Sequence, residues 1–266
     1  MSTHPLDNPL ITPMLFYPRA DRPGYSHIAG AVDGNIPIDD GVSLGYRFYA
    51  HQPDAPVILY FHGNGEIASD YDGIARLFFE IGTSLLVVDY RGYGWSTGSP
   101  LASKLLSDAE AVVPALPSIL SNAEVDAVPL FLMGRSLGSA PAVHLAYTFP
   151  DRFKGLIIES GFADMPSVMR RLGIQPEMFS VPEQLLAPIG NARKLQSVKL
   201  PLLVIHGEAD QLLPIKQGQQ LYDASAAENK TILRIPHAGH NDILMVGMER
   251  YFQSISRFVT DLDSVI

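Results

Sequence analysis

The chain predicts an α/β fold, with a mostly parallel central sheet, an antiparallel start and helices on both faces. Three observations predict it. Short apolar runs recur along the chain, each run is continuous rather than alternating, and helical patterns lie between them. A continuous run fits a strand covered on both faces, and alternation of strand with helix implies right-handed crossovers between parallel strands.

In chain order, Met1 to Pro13 is polar and proline-rich, without a basic segment followed by an apolar one, so it does not read as a signal peptide. Residues 1–26 are expected to be an extension packed on a single domain formed by 27–266. Ile36–Ile38 and Val42–Tyr49 flank Asp40-Gly41, a hairpin signal that starts the sheet antiparallel. The buried runs are Val57–Phe61, Leu85–Val88, Leu130–Met133, Leu156–Ile158, Leu202–Ile205 and Ile232–Ile235. Ile74, Leu77, Phe78 and Ile81 make a helical stripe that Gly82 stops. Leu105, Leu106, Ala109, Val112 and Val113 make another, whose end Pro114 and Pro117 are expected to disturb. Leu244, Met248, Tyr251, Phe252, Ile255 and Phe258 make the last helix.

Residues 162–198 interrupt the alternation and are too apolar for a plain loop. Met165, Val168, Met169 and Leu172 repeat at helical spacing, with Asp164 placed to cap the start and Gly173 to stop the helix. A small helical cap over the sheet's edge is expected. The competing reading packs this stripe on the core, as methionine stripes often do.

Composition narrows the function. The chain has 266 residues, 47% of them hydrophobic and 18% charged, enough for one domain with a sizeable core. A net charge of -9 argues against nucleic acid and anionic membrane as partners. Cysteine is absent, which removes disulfides, thiolate metal sites and thiol nucleophiles and fits a reducing, cytoplasmic setting. No apolar stretch approaches the ~20 residues of a membrane helix.

The polar residues fall where an open α/β sheet binds ligands, beyond the carboxyl ends of its strands. His62-Gly63-Asn64-Gly65, Asp89, Ser136, Glu159, His206-Gly207-Glu208-Ala209-Asp210 and His237-Ala238-Gly239-His240 follow successive runs. Two Gly-x-Ser-x-Gly pentapeptides occur, and such a motif alone is weak. Gly134-Arg135-Ser136-Leu137-Gly138 lies between an apolar run and a helical stretch, the strand–turn–helix context of a nucleophile elbow. Gly94-Trp95-Ser96-Thr97-Gly98 is followed by Ser99-Pro100 and has no such context.

With Ser, acid and His following successive strands in that order, the sequence resembles the α/β-hydrolase superfamily from about residue 35 to the C-terminus. Phe61-His62-Gly63-Asn64 is similar to its oxyanion loop, Asp89 to Gly94 to the loop after the next strand, His206 to Pro214 to its acid segment, and Gly239-His240-Asn241 to its histidine loop. The short span between Glu159 and His206 resembles the small serine hydrolases with a minimal cap, some of which are acyl thioesterases. A tripled-glycine oxyanion motif is absent.

The resemblance implies hydrolysis of a small-molecule ester or thioester through an acyl-enzyme, with no cofactor and no metal, and a cap this short is expected to admit short to medium acyl chains. Ser136 would be the nucleophile, His240 its base and Asp210 the group that orients the histidine. The N–H groups of Leu137 and Asn64 would stabilise the oxyanion, and Met165, Met169 and Leu172 would line the acyl pocket. Rivals stay open. His237 competes with His240, and the pair also hints at a metal. Glu208, Asp89 and Glu159 compete with Asp210. Arg135 reads as a solvated or loop-anchoring charge and His62 as structural. A prolyl-oligopeptidase-like peptidase, a lyase or a non-catalytic ligand-binding protein would share this scaffold. Oligomeric state is not readable.

Overall fold

A computed structural model of the chain describes residues 5–24, 26–38, 41–179 and 181–263. Strands β1 (Ala31–Pro37), β2 (Ser43–Tyr49), β3 (Val57–Phe61), β4 (Ser84–Val88), β5 (Leu130–Arg135), β6 (Gly155–Glu159), β7 (Leu202–Gly207) and β8 (Lys230–Ile235) form one sheet. Its order is β1-β2-β4-β3-β5-β6-β7-β8. The pairs β1–β2 and β2–β4 are antiparallel and the rest are parallel. The expected hairpin joins β1 and β2, although Asp40 of its turn lies outside the described residues.

Helices α1 (Thr12–Leu15), α2 (Ala75–Glu80), α3 (Leu105–Asn122), α4 (Ser139–Thr148), α5 (Met165–Arg171), α6 (Glu183–Leu186), α7 (Asn191–Leu195), α8 (Ile215–Ala224) and α9 (Ile243–Asp263) surround the sheet. Strand side chains alternate between two cores. Val57, Leu59, Phe61 and Leu132 pack on one face with α3 and α4 residues, and Ile58, Tyr60, Phe131 and Met133 pack on the other with α2 and α9 residues. Leu6, Ile11, Leu15 and Phe16 of the N-terminal segment join the first core.

Two helices differ from the sequence expectation. Helix α3 runs through Pro114 and Pro117 to Asn122. Each interior proline costs about 3 kcal/mol. Beyond them Leu116, Ile119 and Leu120 are buried, and each such side chain contributes about 1.5–3 kcal/mol. Helix α9 is interrupted at Gly247, where φ is -135° and ψ 27°. That break shifts the phase of the apolar stripe, so Tyr251, Phe252 and Ile255 face the core while Met248 turns outward. Gly247 sits against Ile235, where a Cβ would collide. Among the described residues, no helix is long and apolar enough to cross a membrane.

Candidate active site

The register brings the carboxyl ends of the parallel strands together. Phe61 lies beside Gly134, and Arg135 beside Glu159. The chain then turns sharply at Ser136, whose φ of +50° is left-handed. A non-glycine residue there is strained by about 1–3 kcal/mol, and it persists because the surroundings fix it. Its carbonyl accepts a hydrogen bond from Ser139 Oγ at 2.6 Å. Ser139 Oγ in turn accepts one from Asn191 Nδ2 at 3.0 Å. The flanking glycines are needed for close approach. A Cβ on Gly134 would collide with the Gly138 carbonyl, and a Cβ on Gly138 with the Phe61 carbonyl.

The loop after β8 brings His240 to this turn. Its Nε2 lies 3.0 Å from Ser136 Oγ, and its Nδ1 lies 2.7 Å from Asp210 Oδ2. With Nδ1–H donating to the carboxylate, Nε2 is left as an acceptor for the serine proton. Asp210 is buried, and its Oδ1 accepts the Leu213 N–H at 2.7 Å. Burial opposes its charge, but hydrogen bonds from His206, His240 and the Leu213 N–H outweigh that cost and hold the carboxyl well below its usual range.

The rival residues are placed elsewhere. His237 and Glu208 are exposed. Asp89 accepts the Ala68 N–H at 2.8 Å and lies 3.2 Å from His62 Nε2, which braces the loop behind Asn64. Glu159 accepts hydrogen bonds from Arg135 and Tyr251. Among the described residues, no group of three His, Cys, Asp or Glu is arranged to hold a metal. Ser96 ties two segments of backbone, accepting the Gly45 N–H at 2.7 Å and donating to the Asp89 carbonyl at 3.2 Å.

A cavity of about 70 Å³ opens beside Ser136. Asn64, Ser136 and Leu137 share its wall with Met165, Val168, Leu172, Phe162, Arg171 and Leu15. Asp164 caps α5 by accepting the Ser167 N–H at 2.8 Å, and Gly173 ends it with φ +80°. One expectation is corrected here. Met169 is fully buried within the core and does not line the cavity. Val168 and Leu172 of the same stripe reach the cavity, while Met169 packs inward on the core.

The N-terminal segment, expected only to pack on the domain, also contributes to the site. Leu15 lines the cavity, its carbonyl accepts from Asn64 Nδ2 at 2.9 Å, and Asn64 Oδ1 accepts from the Tyr17 N–H at 2.9 Å and from Tyr93 Oη at 2.7 Å. The Asn64 side chain is therefore committed to holding the loop. Arg171 ties α5 to the acid loop through the carbonyls of Leu212 and Gln211, at 2.7 and 2.6 Å.

A family profile described as serine aminopeptidase, S33, matches residues 52–191 and 190–245. The chain is an α/β-hydrolase of this family. An uncharacterized protein of Mycobacterium tuberculosis strain H37Rv, Rv2307c, is 30% identical over 252 residues, which cover 93% of this chain and 86% of that one. The alpha/beta hydrolase domain-containing protein WAV2 of Arabidopsis thaliana is 28% identical over 83% of this chain and 75% of its own. The Pyrococcus furiosus esterase Pf2001 superposes with a TM-score of 0.74 over 94% of this chain and 98% of its own, at 19% identity, a likeness of fold. The α/β-hydrolase fold and its antiparallel start are as the sequence predicts, and the solved structures that share this fold include that esterase and a monoacylglycerol lipase from Paleococcus ferrophilus.

Proposed function

We propose that this α/β-hydrolase is a serine hydrolase that cleaves carboxylic esters or thioesters of short to medium acyl chains through an acyl-enzyme. The observation that carries the proposal is the unbroken line Ser136 Oγ, His240 Nε2, His240 Nδ1, Asp210 Oδ2 at 3.0 and 2.7 Å, ending at the wall of an apolar cavity. Ser136 Oγ bonds to the acyl carbon while its proton passes to His240 Nε2. The carbonyl electrons move to an oxyanion received by the N–H groups of Leu137 and Asn64, with the start of α4 adding its positive end. As the carbonyl reforms, the bond to the alcohol or thiol breaks, and His240 hands it the proton. Water repeats the sequence and releases the acid, restoring Ser136.

The family's description names a peptidase acting on amino termini, which would need a carboxylate near the scissile bond to receive an α-ammonium group. Among the described lining residues of the cavity the ionisable side chain is Arg171, which repels an ammonium ion. Leu15, Phe162, Met165, Val168, Leu172 and Leu213 instead suit an acyl chain. The substrate is taken to be a small molecule, with no nucleic acid partner and no cofactor.

The test is labelling with a fluorophosphonate, followed by kcat/KM over acyl chains of two to about sixteen carbons as esters and thioesters, beside aminoacyl amides. Labelling at Ser136 with short or medium acyl esters or thioesters preferred is expected. An unlabelled protein, or aminoacyl amides cleaved faster than every ester and thioester, would sink the proposal.

The cavity wall supplies a further prediction. Leu172→Ala enlarges the pocket and should move the preferred acyl length upward, at about 1 kcal/mol per methylene contact in transition-state binding. Met169→Ala should leave the length profile unchanged and cost about 2–5 kcal/mol of stability, as a core truncation does. The chain-length series and urea unfolding of both variants check the pair.

A further inference from the structure

The residue preceding the nucleophile is braced against β6, the oxyanion loop and the histidine loop. Arg135 ends β5, its side chain is 12% exposed, and its guanidinium makes four separate contacts. Nε donates to Glu159 Oε1 at 3.1 Å. Nη1 donates to Glu66 Oε1. Nη2 donates to the His240 carbonyl at 2.8 Å and to Asn241 Oδ1 at 2.9 Å. Glu66 carries the contact onward, because its Oε2 accepts the Gly63 N–H at 2.7 Å and the Tyr71 hydroxyl at 2.8 Å. Gly63 lies so close to the guanidinium that a Cβ would collide with Nη1, which gives the glycine of the His-Gly motif a physical reason. The solvated reading of Arg135 is therefore corrected, and the loop-anchoring one is extended.

Building on the serine-hydrolase reading, we propose that Arg135 is a positioning residue that sets His240 and the Asn64 oxyanion loop at their working distances from Ser136. One rigid planar fork spans the histidine loop, the oxyanion loop and β6, while its own backbone is one residue from the nucleophile. Displacement of either loop by 1 Å costs about 10²-fold in rate. Lysine cannot substitute, because its ammonium is a single point charge that cannot reach partners on three sides at once. Arg135 does not touch the reacting atoms. Two carboxylates offset its charge, and its proton is held more tightly than usual by Glu159 and Glu66 against the opposing effect of burial.

A cavity of about 200 Å³ lined by Arg135, Glu66, Glu159, His240 and Asn241 makes chemical rescue the test. Arg135→Ala leaves a guanidinium-shaped site facing that cavity. R135A and R135K are each expected to lose about 10²-fold in kcat with KM changed by less than about threefold, and millimolar guanidinium should restore R135A saturably. Sodium chloride at equal ionic strength and urea should not. Kinetics within about threefold of wild type in folded R135A, a loss carried by KM, or equal recovery with sodium chloride would overturn the proposal. If R135A does not fold, Glu66→Gln and Asn241→Ala remove one arm each. A fall in kcat of about tenfold at steady KM supports the proposal, and unchanged kcat in both overturns it. Fluorophosphonate labelling separates the two readings. A wild type not labelled at Ser136 defeats the catalytic reading itself, whereas equal labelling rates in wild type and R135A defeat the role of Arg135 alone.

Discussion

Replacing Ser136 with alanine is expected to lower kcat for the best ester or thioester by about 10⁶-fold, leaving a residue of about 10³–10⁴-fold over water from the oxyanion donors and binding. The loss is large because, in the proposed mechanism, His240 and Asp210 act only through the hydroxyl they activate. Ser96→Ala is the matched control. Its hydroxyl joins the Gly45 N–H to the Asp89 carbonyl, so removing it should cost about 1 kcal/mol of stability and leave turnover near wild type. Steady-state rates and fluorophosphonate labelling of both variants decide the matter. A dead Ser96→Ala beside an active Ser136→Ala would remove the basis for the proposed site.

The second large effect is expected at Asp210. Asp210→Asn should lower kcat by about 10⁴-fold while the fold stays intact. The amide oxygen can keep the Leu213 N–H, which turns the amide nitrogen toward His240 Nδ1. Nδ1 must then accept, the proton moves to Nε2, and the serine loses its base. The same variant should change acid stability. The Asp210 carboxyl is held below its ordinary value of 3.8, so its charged form contributes stability that is fully present above that pH and is lost as pH falls through the folded value. Glu66 behaves alike from an ordinary 4.5, since burial opposes its charge but Arg135, His62 and hydrogen bonds from the Gly63 N–H and the Tyr71 hydroxyl together outweigh that effect. Urea unfolding as a function of pH should therefore show a shallower acid limb in Asp210→Asn than in wild type. An identical limb would mean that Asp210 is not held in its charged form, and wild-type kcat in Asp210→Asn would remove it from the site.

What the sequence determined by itself was local. Continuous apolar runs and their helical spacers named the inner parallel strands β3 to β7, because burial on both faces demands unbroken apolar side chains, while edge strand β8 is broken by exposed Arg234 and is largely half-buried. The strand–turn–helix context separated Ser136 from Ser96, since the turn that projects a nucleophile is encoded within five residues. Local rules failed where distant residues competed with them. Pro114 and Pro117 stay helical because the helix beyond them buries Leu116, Ile119 and Leu120. Met169 and Met165 look alike in a stripe, and only the packing of α5 against the core turns the first inward and leaves the second at the cavity. The sequence left the acid open among Asp210, Glu208, Asp89 and Glu159. Three dimensions placed Asp210 against a histidine 30 positions away and that histidine against a serine 104 positions away. Leu15 at the cavity had no signal, and the loop-anchoring reading of Arg135 named none of its partners, because a hydrogen bond depends on where folding carries its two ends and not on the residues beside either one.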